Sequence, residues 1–164
     1  MPKTNPFTIL AGVIIAGAVL LAAGSAWDDS LIVDEVPHIG AGYSYLTQRD
    51  MRLNPEHPPL AKDFAAFPLT FLNFTGKTSL ESIFEKEDIA NSQWDFGRRL
   101  VYSSGVNPEL VTRLARAPML LFFITAAILL FIWTRRLYGP AAGITALLLL
   151  CFSPTVLAHA KFVT

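Results

Sequence analysis

The sequence predicts an all-α membrane protein, with about three transmembrane helices and amphipathic juxtamembrane helices in a long extracytoplasmic loop. Composition is the first reason. Of 164 residues 52% are apolar and 16% charged, with a mean hydropathy of +0.44, too apolar for an ordinary soluble domain and too charged for a bare helical hairpin. The second is distribution: every acidic residue lies between Asp28 and Glu109, so a charged middle is flanked by apolar ends. The third is that those ends hold charge-free runs of membrane-spanning length. Basic and acidic residues balance at 13 each, which gives no electrostatic reason to expect a nucleic-acid partner. The single cysteine, Cys151, excludes an internal disulfide.

The first run, Phe7 to Trp27, has 21 residues without a charge, enough for a helix to cross a hydrocarbon core of about 30 Å. Lys3 before it and Ala22-Ala23-Gly24-Ser25-Ala26 near its end also suit a cleaved signal peptide. A signal core is shorter, about 7–15 residues, so the run is expected to be an anchor. The second run, 117–134, is bracketed by Arg116 and Arg135-Arg136; the third, 137–158, contains the turn Gly139-Pro140, and Pro154 is expected to bend or end it. Lys3 and Arg135-Arg136 should be cytoplasmic because basic residues in short loops stay inside. Three alternating crossings put both on one side. The Asp28–Arg116 loop is then extracytoplasmic, in a multi-pass protein of the cell membrane.

Within this loop Val36, Ile39, Tyr43 and Leu46 recur at helical spacing. Asp34 suits the N-cap and Pro37 the first turn, which predicts an amphipathic helix lying on the membrane. Asn54-Pro55 and His57-Pro58-Pro59 force an extended stretch. Leu60, Phe64, Phe67, Phe71 and Phe74 then line one face of a helix too short to span, interfacial or re-entrant. From Gly76 to Pro108 the signals are weak; Lys77, Glu81, Glu85, Lys86, Glu87 and Asp88 suggest a solvated helix or loop.

Chemistry concentrates between Asp34 and Lys62. Asp34 and Glu35 stand where the first membrane helix meets water. Either serves as a charged flank, or one serves as a general base or a ligand for a divalent cation. His38 shares a helical face with Asp34, so the two could hold a metal together. Pro59 suits the first position of a helix, whose N-terminal N–H groups attract anions. Lys62 in that first turn adds a full positive charge opposite the Leu60-Phe64-Phe67 stripe. That is the combination a lipid-linked phosphate needs, although a lysine that merely snorkels reads equally well. Arg116 can anchor the second membrane helix or grip a phosphate bidentately. No P-loop, dinucleotide fingerprint, Cys/His zinc site or serine elbow is present.

Asp34-Glu35, the following His38 and Gly40, and Asn54-Pro-Glu-His-Pro-Pro-Leu-Ala-Lys62 together resemble the N-terminal part of protein O-mannosyltransferases and their bacterial relatives. These belong to the GT-C class of integral-membrane glycosyltransferases, with the lipid A aminoarabinose transferases. Leu114-Ala115-Arg116-Ala117-Pro118 and the stretch Ser153 to Thr164 also look like bacterial members. The resemblance implies a polyprenyl-phosphate-linked sugar donor and a protein or glycolipid acceptor on the non-cytoplasmic face. It implies Asp34 as the base that activates the acceptor, with Glu35 supporting it. Lys62, Arg116 and His57 are then the donor-phosphate contacts. Some members bind a divalent metal near Glu56 and His57; no cofactor is otherwise required. Members run on for many more membrane helices, so this chain is expected to be an N-terminal piece or one part of a split enzyme, inactive alone. The alternative is a non-catalytic membrane protein that binds polyprenyl phosphate or serves as a subunit. A transporter fragment is disfavoured by the absence of charges within the three runs.

Overall fold

A computed structural model describes residues 5–75, 88–89 and 91–163, and every described element in it is helical. The helices are α1 (Pro6–Asp28), α2 (Glu35–Gln48), α3 (Pro59–Ala66), α4 (Gln93–Tyr102), α5 (Pro108–Arg116), α6 (Met119–Tyr138), α7 (Pro140–Cys151) and α8 (Pro154–His159), with a 3₁₀ turn at Phe67–Phe71 after α3. Among the described residues, two stretches are long and apolar enough to cross a membrane: Pro6–Trp27, 22 residues, and Pro108–Tyr138, 31 residues. The chain divides into two compact units.

The first unit contains α1 and Leu120–Lys161. Its core is drawn from Ala11, Ile14 and Ala18 on α1, Phe123, Ala127 and Phe131 on α6, and Leu147 and Cys151 on α7. These are spaced three or four apart on each helix, so each contributes one stripe, while Val13, Leu20, Trp133 and Leu149 remain exposed. Gly139 (φ +90°) makes the turn into α7, a left-handed conformation that suits a residue without Cβ. Gly143 then lets α7 close on α6, since a Cβ there would lie 3.1 Å from the Arg135 side chain. The third apolar run is interrupted. α7 has 12 residues, a length of about 18 Å at 1.5 Å per residue, and Ser153 in an extended conformation separates it from α8, which Pro154 opens.

The second unit contains Asp29–Met119 and the returning residues Phe162 and Val163. α2 is its centre. Far from lying on a surface with one apolar face, this helix is buried on every side from Glu35 to Tyr45. Small residues explain the difference. A Cβ on Gly42 would overlap the Lys62 carbonyl of α3, and one on Gly97 of α4 would overlap the Val36 carbonyl. Backbones therefore meet directly, as glycine alone permits. α2 ends at Arg49, in a left-handed conformation at φ +56°. Ile39, Leu53, Ala65, Leu69, Phe96, Leu100, Val111 and Val163 fill the core. Gln93–Tyr102, in the weakly patterned region, is a helix with Phe96, Leu100 and Val101 buried, whereas Lys77, Glu81, Glu85, Lys86 and Glu87 lie outside the described residues.

Candidate functional site

Each residue singled out between Asp34 and Arg116 belongs to the second unit, and they sort into two clusters around α2. The first is an ion pair at its N-terminus. Glu35 and Arg116 are 0% and 2% exposed, and Arg116 grips the carboxylate with two donors, Nε to Oε1 at 2.9 Å and Nη2 to Oε2 at 2.6 Å. The guanidinium also donates to the carbonyls of Asp29 (2.8 Å) and Ser30 (2.9 Å). Glu35 accepts the backbone N–H groups of Ile32 (3.0 Å) and Val163 (3.2 Å). The ring of Phe162 lies 5.4 Å from the guanidinium carbon, within cation–π range. The bidentate anion grip expected of Arg116 exists, but its partner is Glu35. Glu35 in turn ties three chain segments together.

The second cluster lies along the face of α2 that meets α3. His38, Gly42 and Tyr45 share it at i, i+4 and i+7 spacing. His38 is buried, and its Nδ1 lies 3.2 Å from the Val163 carbonyl. A carbonyl only accepts, so Nδ1 carries a proton in this contact. Burial lowers the His38 pKa; the bond to Val163 opposes this, the charges of His57 and Lys62 reinforce it, and Asp34 works weakly the other way. His57 packs edge-on against His38, with ring centroids 5.0 Å apart. The two motifs, Asp34-Glu35 and His57 to Lys62, are thus brought into one neighbourhood by the α2–α3 contact.

Lys62 is on the opposite side of α3 from its aromatic stripe, as expected, yet its ammonium does not open toward a surface. Lys62 is 2% exposed, and Nζ donates to the Asn54 carbonyl (2.7 Å), Asn54 Oδ1 (2.6 Å) and the Tyr45 hydroxyl (3.1 Å). Asn54 also donates to Gln93, and Tyr45 to the Asn54 carbonyl at 2.6 Å. Burial lowers the Lys62 pKa, with Asp63 and Glu56 opposing that shift. Asp34 itself is exposed at the N-cap position, without a side-chain capping bond. Glu56 and His57 are exposed as well. Among the described residues no three or more His, Cys, Asp or Glu gather closely enough to hold a metal ion.

Tyr45, Gln93 and Asp63 were not singled out in the sequence, and Asn54 was read only as part of the motif that ends at Lys62. The spacing of Tyr45 from His38 was a usable signal; Gln93 gave none, since its burial comes from packing. Asp63 is half-buried, with one carboxylate oxygen lacking a partner among the described residues. Burial raises its pKa, and Lys62 opposes the rise. No protein-family model, curated protein or solved structure matches this chain.

Proposed function

We propose that this chain is the N-terminal portion of a multi-pass membrane glycosyltransferase, moving a sugar from a polyprenyl-phosphate-linked donor to a protein or glycolipid acceptor on the non-cytoplasmic face. In this reading α1, α6 and the interrupted pair α7–α8 make three crossings. The N-terminus and Arg135-Arg136 face the cytoplasm, and the second unit faces outward. An acceptor oxygen attacks the anomeric carbon, the bond from that carbon to the phosphate oxygen breaks, and the acceptor proton passes to Asp34. His57, exposed beside His38, meets the departing phosphate, while the buried Lys62 contributes its charge through space. Glu35 and Arg116 hold the start of α2, and with it Asp34, in position.

The observation that supports this reading is the juxtaposition of the two motifs: an exposed carboxylate one turn before His38, whose ring packs on His57 of the His-Pro-Pro segment. Asp34→Asn, made in a full-length homologue, tests it in membranes supplied with a radiolabelled lipid-linked sugar. Turnover should fall by about 10²–10⁴-fold, the usual worth of a general base, with donor binding retained. Normal turnover would remove Asp34 as the base.

A second reading, a non-catalytic polyprenyl-phosphate binder or subunit, is favoured by one observation. Glu35, Lys62 and Arg116 are all buried and bonded to protein groups, as a scaffold requires. Donor binding with no transfer by the full-length homologue, with or without Asp34→Asn, would select it.

A further inference from the structure

Leu60, Phe64, Phe67 and Phe71 are all exposed, Phe71 by 75%, and they follow one another at i, i+4, i+7 and i+11. The other side of the same segment carries Lys62, Ala65, Ala66 and Leu69, all buried in the second unit. Pro68 at the start of the 3₁₀ turn and the edge-on contact of Phe67 with Phe71, 5.4 Å between centroids, keep the last two rings together. Phe74, expected on the same face, is turned into the core, because the chain becomes extended at Leu72. Isolated exposed apolar residues are ordinary, but a contiguous apolar face marks an interaction surface.

We propose that this aromatic ridge inserts into the headgroup–acyl boundary of the lipid bilayer. Two observations select lipid over a protein partner. From Phe64 to Gly76 the chain runs 13 residues without a charge, so no charge has to be desolvated as the ridge enters the boundary. The unit is also held by its own chain at both ends, since Asp29 follows α1 and Met119 opens α6, the two helices of bilayer length. Short apolar faces of this kind bury about 5–10 Å into the interface. The proposal rests on the membrane-crossing reading of α1 and α6 and is independent of the sugar chemistry.

Nitroxide labels test it on the full chain in nanodiscs, in a Cys151→Ala background. Labels would be placed at Phe71→Cys, at Phe67→Cys, at Leu129→Cys on the exposed side of α6, and at Arg98→Cys on α4, whose parent side chain is 64% exposed. Oxygen partitions into lipid and a nickel chelate into water, so their relative collision rates report depth. Oxygen should dominate at positions 71, 67 and 129, with the order reversed at 98. Water-like collisions at 71 and 67 with lipid-like collisions at 129 would overturn the ridge alone. Shielding of 71 and 67 from both reagents would overturn it in favour of a protein partner. Water-like collisions at 129 would overturn the membrane reading and the ridge with it.

Discussion

Replacing Arg116 with alanine would leave the Glu35 carboxylate buried without this counter-ion and remove the guanidinium bonds to the Asp29 and Ser30 carbonyls. Breaking one side of a buried ion pair costs about 3–5 kcal/mol, so the unfolding midpoint of Arg116→Ala in detergent should drop sharply. Arg116→Lys keeps the charge but loses the planar fork that serves three partners at once, and should recover only part of the loss. A midpoint unchanged by Arg116→Ala would show that the pair carries little stability. Asp34 and Glu35 are neighbours in sequence with opposite surroundings. One is exposed at the N-cap position and the other is 0% exposed, which divides the motif into a residue open to solvent and one that fixes its backbone. That division was not legible in the sequence, because Arg116 lies 81 positions from Glu35 and only the fold pairs them.

At the scale of the element, the contacts of α2 rest on missing side chains. Gly42→Ala would push a methyl group into the Lys62 carbonyl, and such overpacking costs about 1–3 kcal/mol. Because α3 carries Lys62 and follows His57, the shift should also disturb the His38–His57 contact. The expected result is a lower unfolding midpoint together with altered imidazole signals in the NMR spectrum; no change in either would show that α2 and α3 are less tightly apposed. Helical spacing at Val36, Ile39 and Tyr43 was sufficient to read the helix, but not its burial. The pattern records where apolar side chains are, whereas Gly40, Ala41, Gly42 and Ser44 are covered because nothing there holds a neighbour away. The third apolar run shows the converse. Its composition alone reads as one helix, but Pro154 marks where it should bend or end, and the Ser153-Pro154 step does divide it.

At the scale of the whole molecule, α1 and α6 were legible at once as long apolar helices, since each is built on a charge-free run long enough to cross a bilayer. The folded character of the Asp28–Arg116 region was not. Its core is assembled from residues scattered over the unit and from Val163, and no local period reports such a pattern. Sidedness remains the largest-scale expectation. With a membrane-impermeant maleimide on intact cells, in the Cys151→Ala background, Arg98→Cys should label from outside and Arg136→Cys only after permeabilisation. The reverse order would invert the topology and put the Asp34 carboxylate on the cytoplasmic face.

Val163 gives its backbone N–H to Glu35, lies with its carbonyl against His38, and buries its side chain in the second unit. Together with Phe162 it leaves the ribosome long after the Asp29–Met119 part of that unit. Met119 and Val163 are 44 positions apart (163 − 119), so at 5–20 residues per second about 2–9 s separate their synthesis. During that interval Glu35 lacks one of its donors and a core position stands empty, while the apolar helices of the first unit are being made. The second unit reaches its final packing only after α6, α7 and α8 have been synthesised. Completion of the fold around α2 is thereby coupled to delivery of the apolar segment that precedes Val163.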